Sequence, residues 1–321
     1  MAQSVLPEKF LERLTEIIPP DQIVAVRESF VRRPTTFRVN TLKSNRETIL
    51  AKLSDLGFQL EPVDWYDDAF ILRNKSKQEL IDTPPYQNGE MYVQGLSSMV
   101  PPLVLDPRSG EKIADVAAAP GSKTTQMAAM MNNLGEIVAN DRSKIRLFKL
   151  VANLKLQGVT NVRTSLAEGE ALWKRFPEYF DKTLVDVPCS LEGRFDVKNA
   201  KSYRDWSLRK VQMLSVHQQH LLRSAVSATK PGGVIVYSTC TLSPEENEQV
   251  IDWLWKKEPG VVEIESIDLP LPGLQEGLRR WGKNEFAPEI RRTMRVIPSE
   301  VMEGFYIAKL RKLKSNVGKS L

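Results

Sequence analysis

A chain of 321 residues, 41% hydrophobic and 26% charged, has the profile of a globular protein long enough for one large domain and a small one. It has no apolar run near the roughly 20 residues of a membrane span and no signal-peptide core, so a cytoplasmic protein is expected. A net charge of +5 suits a nucleic-acid partner, and two cysteines, Cys189 and Cys240, exclude a disulfide framework.

Residues 1–30 predict two helices. Phe10, Leu11, Leu14, Ile17 and Ile18 form one apolar stripe over 7–18, Pro19-Pro20 ends it, and Asp21 is placed to cap a second helix reaching about Phe30. Residues 31–94 predict a small α+β subdomain. It has a strand over 35–42, a helix capped by Ser44 and Glu47 and closed by Gly57, strands near 58–63 and 70–73, a helix over 77–81 and a strand over 91–94. This βαββαβ order is that of a ferredoxin-like or RNA-recognition-like module. The aromatic stacking motifs of an RNA-recognition domain are missing, so RNA contact here falls to Arg32, Arg33, Arg38 and Lys43 against phosphates.

From 95 to 312 strands and helices alternate, which predicts an α/β, Rossmann-like domain: a mostly parallel seven-stranded sheet with helices on both faces. Its strands are expected at 112–117, 136–140, 162–165, 182–187, 234–239, 261–264 and 305–310, with helices starting near Ser122, Ser143, Glu168 and Ser207. The basic end, from Arg311 through the 313–321 tail, is expected to fray and to touch RNA.

The stretch 113–124, IADVAAAPGSKT, reads as a strand, a turn of small residues and a helix. Ala117, Ala118, Ala119, Pro120, Gly121, Ser122 and Lys123 let the backbone approach a ligand at a helix N-terminus. The turn has one glycine, against the three of a dinucleotide fingerprint. Ser122 separates Gly121 from Lys123, against the Gly-Lys pair of a phosphate loop. A nucleoside-like ligand without a pyrophosphate remains, with Asp141 at the next strand end to take ribose hydroxyls. S-adenosylmethionine fits that description. His217 and His220 lie one helical turn apart with nothing to complete a ligand set, so no metal is expected.

Strand ends carry the remaining chemistry: Asp186-Val187-Pro188-Cys189-Ser190 after one, Cys240-Thr241 after another. Ser243, Pro244 and Glu246 read as N-cap, first helical residue and capping-box acid, which puts Cys240 just before a helix N-terminus that favours its thiolate. A methyl donor, a nucleophilic thiol and a basic surface together suggest methylation of a pyrimidine at C5. A thiolate adding to C6 makes C5 nucleophilic, and Asp186 is the candidate to stabilise the polarised ring.

DVAAAPGSKT, LVDVPCS, VYSTCTLSPEENE and EGFYIAKL closely resemble the Sun/Fmu-type RNA (cytosine-C5) methyltransferase family, and the likeness runs from about Arg32 to about Lys312. The resemblance implies Cys240 as nucleophile and Cys189 as the group that assists breakdown of the covalent adduct. It also implies that 117–123, Asp141, Arg146, Glu168 and Asp186 line the S-adenosylmethionine site, with Lys123 and Asp186 facing both ligands. Two positions depart from the family: Glu168 stands where Asp is usual, and Ser122 where a second glycine is usual. The expected partner is rRNA or tRNA, methylated by a monomer at an unpaired or flipped-out cytosine, with Tyr203 and Trp206 as possible cleft residues. Two other readings stand beside it: a DNA cytosine-C5 methyltransferase using Cys189, and a non-catalytic RNA-binding assembly factor.

Overall fold

The computed structural model describes residues 6–317. Helices α1 (Glu8–Ile17) and α2 (Ile23–Glu28) come first. α1 buries Phe10, Leu14 and Ile17, the expected stripe, and Phe10 sets its ring edge-on to Phe30, Phe195 and Trp206. The cap of α2 is Gln22, not Asp21, and makes no side-chain bond.

β1 (Thr36–Val39), α3 (Arg46–Asp55), β2 (Leu60–Pro62), β3 (Ala69–Leu72), α4 (Lys77–Ile81), α5 (Pro84–Gln87) and β4 (Met91–Val93) follow. The four strands pair antiparallel in the order β2-β3-β1-β4, the ferredoxin-like arrangement. Phe37, Val39, Ile49, Leu53, Phe70 and Leu72 fill the space between sheet and helix. Asn45, not Ser44, caps α3: its side chain accepts from Thr48 N–H at 2.8 Å, so no capping box forms with Glu47.

The large sheet is built from β5 (Lys112–Asp115), β6 (Glu136–Asp141), β7 (Val162–Leu166), β8 (Phe180–Asp186), β9 (Thr229–Thr239), β10 (Val262–Glu265), β11 (Leu274–Glu276), β14 (Met294–Val296) and β15 (Phe305–Lys312). A separate hairpin holds β12 (Arg280–Trp281) and β13 (Asn284–Glu285). The order is β7-β6-β5-β8-β9-β15-β14-β11, with β10 also on β15; the first five strands are parallel and β15 runs antiparallel to β9. This is the expected Rossmann-like fold with nine strands rather than seven. The additional β11 and β14, three residues each, extend the antiparallel side.

Helices α6 (Leu96–Leu105), α7 (Ser122–Met130), α8 (Lys144–Leu156), α9 (Leu172–Arg175), α10 (Leu208–Ala228) and α11 (Glu248–Lys257) cover this sheet. Adjacent β8 residues Leu184 and Val185 enter opposite core clusters, one with Met127 and the other with Leu222, as a sheet buried on both faces requires. α6 is unanticipated because Pro101 and Pro102 lie inside it. Pro102 has no N–H for the Ser98 carbonyl, which instead accepts from Gln94 Nε2 at 3.0 Å.

Two residues expected on RNA serve the fold. Arg38 is 1% exposed and donates to Gln94 Oε1 at 2.9 Å and Thr125 Oγ1 at 2.7 Å, tying the small sheet to α7. Lys43 Nζ donates to the carbonyls of Asn88 and Leu156. The C-terminal end does not fray where it is described. Lys312 is buried, with Nζ on Glu178 at 2.8 Å and on the Thr229 carbonyl at 2.9 Å, and Asn316 bonds Ser227. Residues 318–321 of the expected tail lie outside the described residues.

Candidate active site

β5 ends at Asp115, and the chain turns through Ala117–Pro120 into α7. Gly121 caps α7 with φ +108°, a left-handed conformation that favours glycine, and it packs against Leu150 of α8. A cavity opens above this turn. It brings together Ala117, Ala118, Ala119, Pro120, Ser122, Lys123, Arg146, Asp186, Cys189 and Cys240, residues separated by more than 100 positions in sequence. The carboxyl ends of β5, β8 and β9 supply them, the rim where open α/β sheets hold ligands.

Not every expected residue lines it. Gly121 packs behind the turn. Asp141 is 2% exposed and bound to its own neighbourhood: Oδ1 accepts from Ser143 N–H at 2.9 Å, and Oδ2 accepts from Ala119 N–H at 3.3 Å and pairs with Arg146 at 3.4 Å. Glu168 is exposed, on the turn before α9. Tyr203 and Trp206 pack with Phe10 and Phe195, and Trp206 Nε1 donates to Glu192 at 2.8 Å, so they belong to the core beneath the cleft. His217 Nδ1 lies 2.7 Å from Glu170 Oε1.

Lys123 Nζ reaches Asp186 Oδ2 at 2.6 Å and Ser98 Oγ at 2.8 Å, while Ser238 Oγ donates to Asp186 Oδ1 at 2.8 Å. Asp186 is thereby fixed at the cavity wall with an ammonium beside it. Asp115, below it, takes the Thr124 hydroxyl at 2.7 Å, and burial pushes its carboxyl up to about 7.

Cys189 Sγ and Cys240 Sγ lie 3.3 Å apart. Their shared hydrogen bond and burial raise the Cys189 thiol, whereas the same hydrogen bond and the Arg194 guanidinium lower Cys240 against its own burial. Of the two, Cys240 is therefore the sulfur more inclined to the thiolate form. Cys240 is also the less buried of the two.

The helix expected to support that thiolate is displaced. α11 begins at Glu248, with Asn247 at its cap position, so Cys240 is not at its N-terminus. The would-be capping residues are used across the loops instead. Ser243 Oγ donates to Glu192 at 2.6 Å, and buried Glu246 accepts from Ser190 N–H at 3.0 Å and Gln218 Nε2 at 2.8 Å. Asn247 bridges Thr239 Oγ1 and the Thr241 carbonyl. The positive group near Cys240 is Arg194, held by Glu303 at 3.1 Å. Sequence reasoning passed over it, as it did Ser98, Asp115, Leu191 and Phe305, which also line the cavity. The one local hint was a basic residue five positions past a strand-end cysteine.

The cysteine loops are locked together by backbone as well. Gly193 N–H donates to the Cys240 carbonyl at 3.1 Å, and a Cβ on Gly193 would meet the Gly304 carbonyl oxygen at 2.0 Å.

The profile described as 16S rRNA methyltransferase RsmB/F matches residues 102–311, the stretch holding this cavity, and that of the N-terminal domain of 16S rRNA methyltransferase RsmF matches 6–95. The chain belongs to the RsmB/F methyltransferase family. It is 40% identical to the tRNA (cytosine(49)-C(5))-methyltransferase of Pyrococcus abyssi, over 95% of this chain and 96% of that one. It is 38% identical to ribosomal RNA small subunit methyltransferase F of Cronobacter sakazakii, over 97% of this chain but 64% of that protein, so it spans about two thirds of the ribosomal relative. A solved methyltransferase homologue from Pyrococcus horikoshii superposes with a TM-score of 0.79 at 33% identity, covering 96% of this chain and all of that one. Within this RsmB/F methyltransferase, the paired Pro-Cys and Thr-Cys loops and the small-residue turn meet at one cavity. Among the described residues no helix is long and apolar enough to cross a membrane, and no cluster of His, Cys, Asp or Glu has metal-holding geometry.

Proposed function

We propose that this chain transfers a methyl group from S-adenosylmethionine to C5 of a cytosine in RNA, through a transient bond between Cys240 and C6. The observation that carries the reading is the sulfur pair. Of two thiols 3.3 Å apart, the one with lowered pKa and greater access to the cavity is Cys240. The same asymmetry disfavours Cys189 as nucleophile, the assignment a DNA-type enzyme would need.

The residues fit the cofactor: Ala117–Ala119 offer a wall of small side chains at the turn, and Lys123, Arg146 and Asp186 line the same cavity. When bound, S-adenosylmethionine supplies an electrophilic methyl group. The protein does the rest. Cys240 Sγ bonds to C6, and Asp186 and Lys123 stabilise the ring while C5 becomes nucleophilic. Once C5 carries the methyl group, its proton passes to water reaching the cavity on the Cys189 side, the C5–H electron pair forms the C5–C6 double bond, and Cys240 leaves as the thiolate, which restores the aromatic ring. Residues 95–312 form the catalytic unit in this account, with 31–94 as an RNA-facing module. Since the two relatives are named for different RNAs, the assay should offer both. Incubation with labelled S-adenosylmethionine and either unmodified tRNA or 16S rRNA should give 5-methylcytidine on nucleoside analysis. Label recovered in any other nucleoside, or in neither RNA, would contradict the proposal.

A further inference from the structure

A second groove meets the active-site cavity at Arg194, which lines both. It runs between the segment entering β1, the start of α4 and the loop after Cys189. Four cations line it, Arg32, Arg33, Lys77 and Arg194, against two carboxylates, Asp196 and Glu303. Both carboxylates are engaged locally: Glu303 holds Arg194 at 3.1 Å, and Asp196 accepts from Lys198 N–H at 2.9 Å. Arg33 is fixed by the Ser299 and Met302 carbonyls at 3.0 and 2.9 Å, and its buried Nη2 has no partner. Arg32 and Lys77 are exposed. They are absent from the ion pairs among the described residues. No aromatic face lines the groove.

This chemistry suits a phosphodiester backbone and not stacked bases. A base held over Cys240 stays attached to its strand, which has to leave the cavity past a wall, and Arg194 is a wall that opens onto cations. We propose that this groove carries the single-stranded RNA adjoining the target cytosine, with Arg32 and Lys77 on its phosphates and little sequence preference. The inference rests on the RNA reading above and deepens it.

The test is fluorescence anisotropy with a labelled single-stranded oligocytidylate RNA across a salt series, run beside methylation of tRNA and 16S rRNA. The variant is Arg32→Glu/Lys77→Glu. The control is Lys257→Glu/Lys283→Glu, the same charge change on exposed residues away from the groove. The groove variant should bind about tenfold more weakly at low salt, with a log–log salt slope shallower by about 1.4, roughly 0.7 for each single-strand phosphate that is no longer neutralised. The control should weaken by less than about threefold and keep the wild-type slope. If wild type methylates RNA while the groove variant matches the control in affinity and slope, the groove assignment is overturned and the function stands. If wild type neither binds nor methylates RNA, both are overturned.

Discussion

Two sulfurs face each other in this site, and the groups around them push their acidities apart. Cys189 is raised by the hydrogen bond between the sulfurs and by burial, while Cys240 is lowered by that bond and by Arg194. Attack depends on the thiolate fraction, which falls about tenfold per unit of pH below the thiol's pKa, so neutralising Arg194 should move the activity to higher pH. Arg194→Gln is expected to shift both the acid limb of methyl transfer and the midpoint of Cys240 alkylation by iodoacetamide upward, without loss of fold. Mass spectrometry of the alkylated peptide across pH measures the second directly, and an unmoved midpoint would remove Arg194 from the account. Asp186 and both cysteines were legible because they sit at or just beyond the ends of apolar strands, and Lys123 because it opens the helix after the small-residue turn. Arg194 was not, since its place beside Cys240 depends on the left-handed turn at Leu191 and the fit of Gly193 against Gly304.

At the scale of elements, the cysteine loops are held by what packs behind them. Arg295 on β14 and Glu248 at the start of α11 are fully buried and paired, Nε to Oε1 at 2.6 Å, and Arg295 also donates to the Leu242 carbonyl at 2.9 Å. Glu248→Ala leaves a guanidinium without its counter-charge in the core and should cost about 3–5 kcal/mol in urea unfolding. From the opposite side α1 clamps the same loop. Arg13 pairs with Glu245 at 2.6 Å and lies 4.8 Å from the Trp281 ring, and Phe10 fills the aromatic cluster. Phe10→Ala should cost about 3–5 kcal/mol by the same measurement. A loss below about 1 kcal/mol in either variant would show that the loops do not depend on these supports. The stripe of α1 was readable from its periodicity. The start of α11 was not, because Ser243 and Glu246 look like a capping box until their partners, Glu192, Ser190 and Gln218, arrive from other parts of the chain.

For the molecule as a whole, the buried carboxyls make stability depend on pH. Burial pushes Glu246 up to about 8 and Asp115 up to about 7. Between the ordinary carboxylate range and those values the folded state binds more protons than the unfolded one. Stability from these two groups is therefore full at low pH and is lost as pH rises through that window. Glu246→Gln cannot ionise, so it should flatten the decline in unfolding free energy between about pH 5 and pH 8, by several kcal/mol at most. Parallel wild-type and variant curves would mean that Glu246 enters the fold already charged. The parallel part of the sheet was legible as strands, though not in its order, since strand and helix periods alternate from 112 to 239. The antiparallel side was less so: β11 and β14 are too short to carry a period, and Pro101-Pro102 hid α6.

The most direct test of the central claim is to trap the adduct. Cys189→Ala, incubated with S-adenosylmethionine and substrate RNA, should form a protein–RNA band stable in a denaturing gel, and adding Cys240→Ala should abolish both the band and methyl transfer. Turnover by Cys240→Ala, or an adduct that survives its loss, would contradict the account.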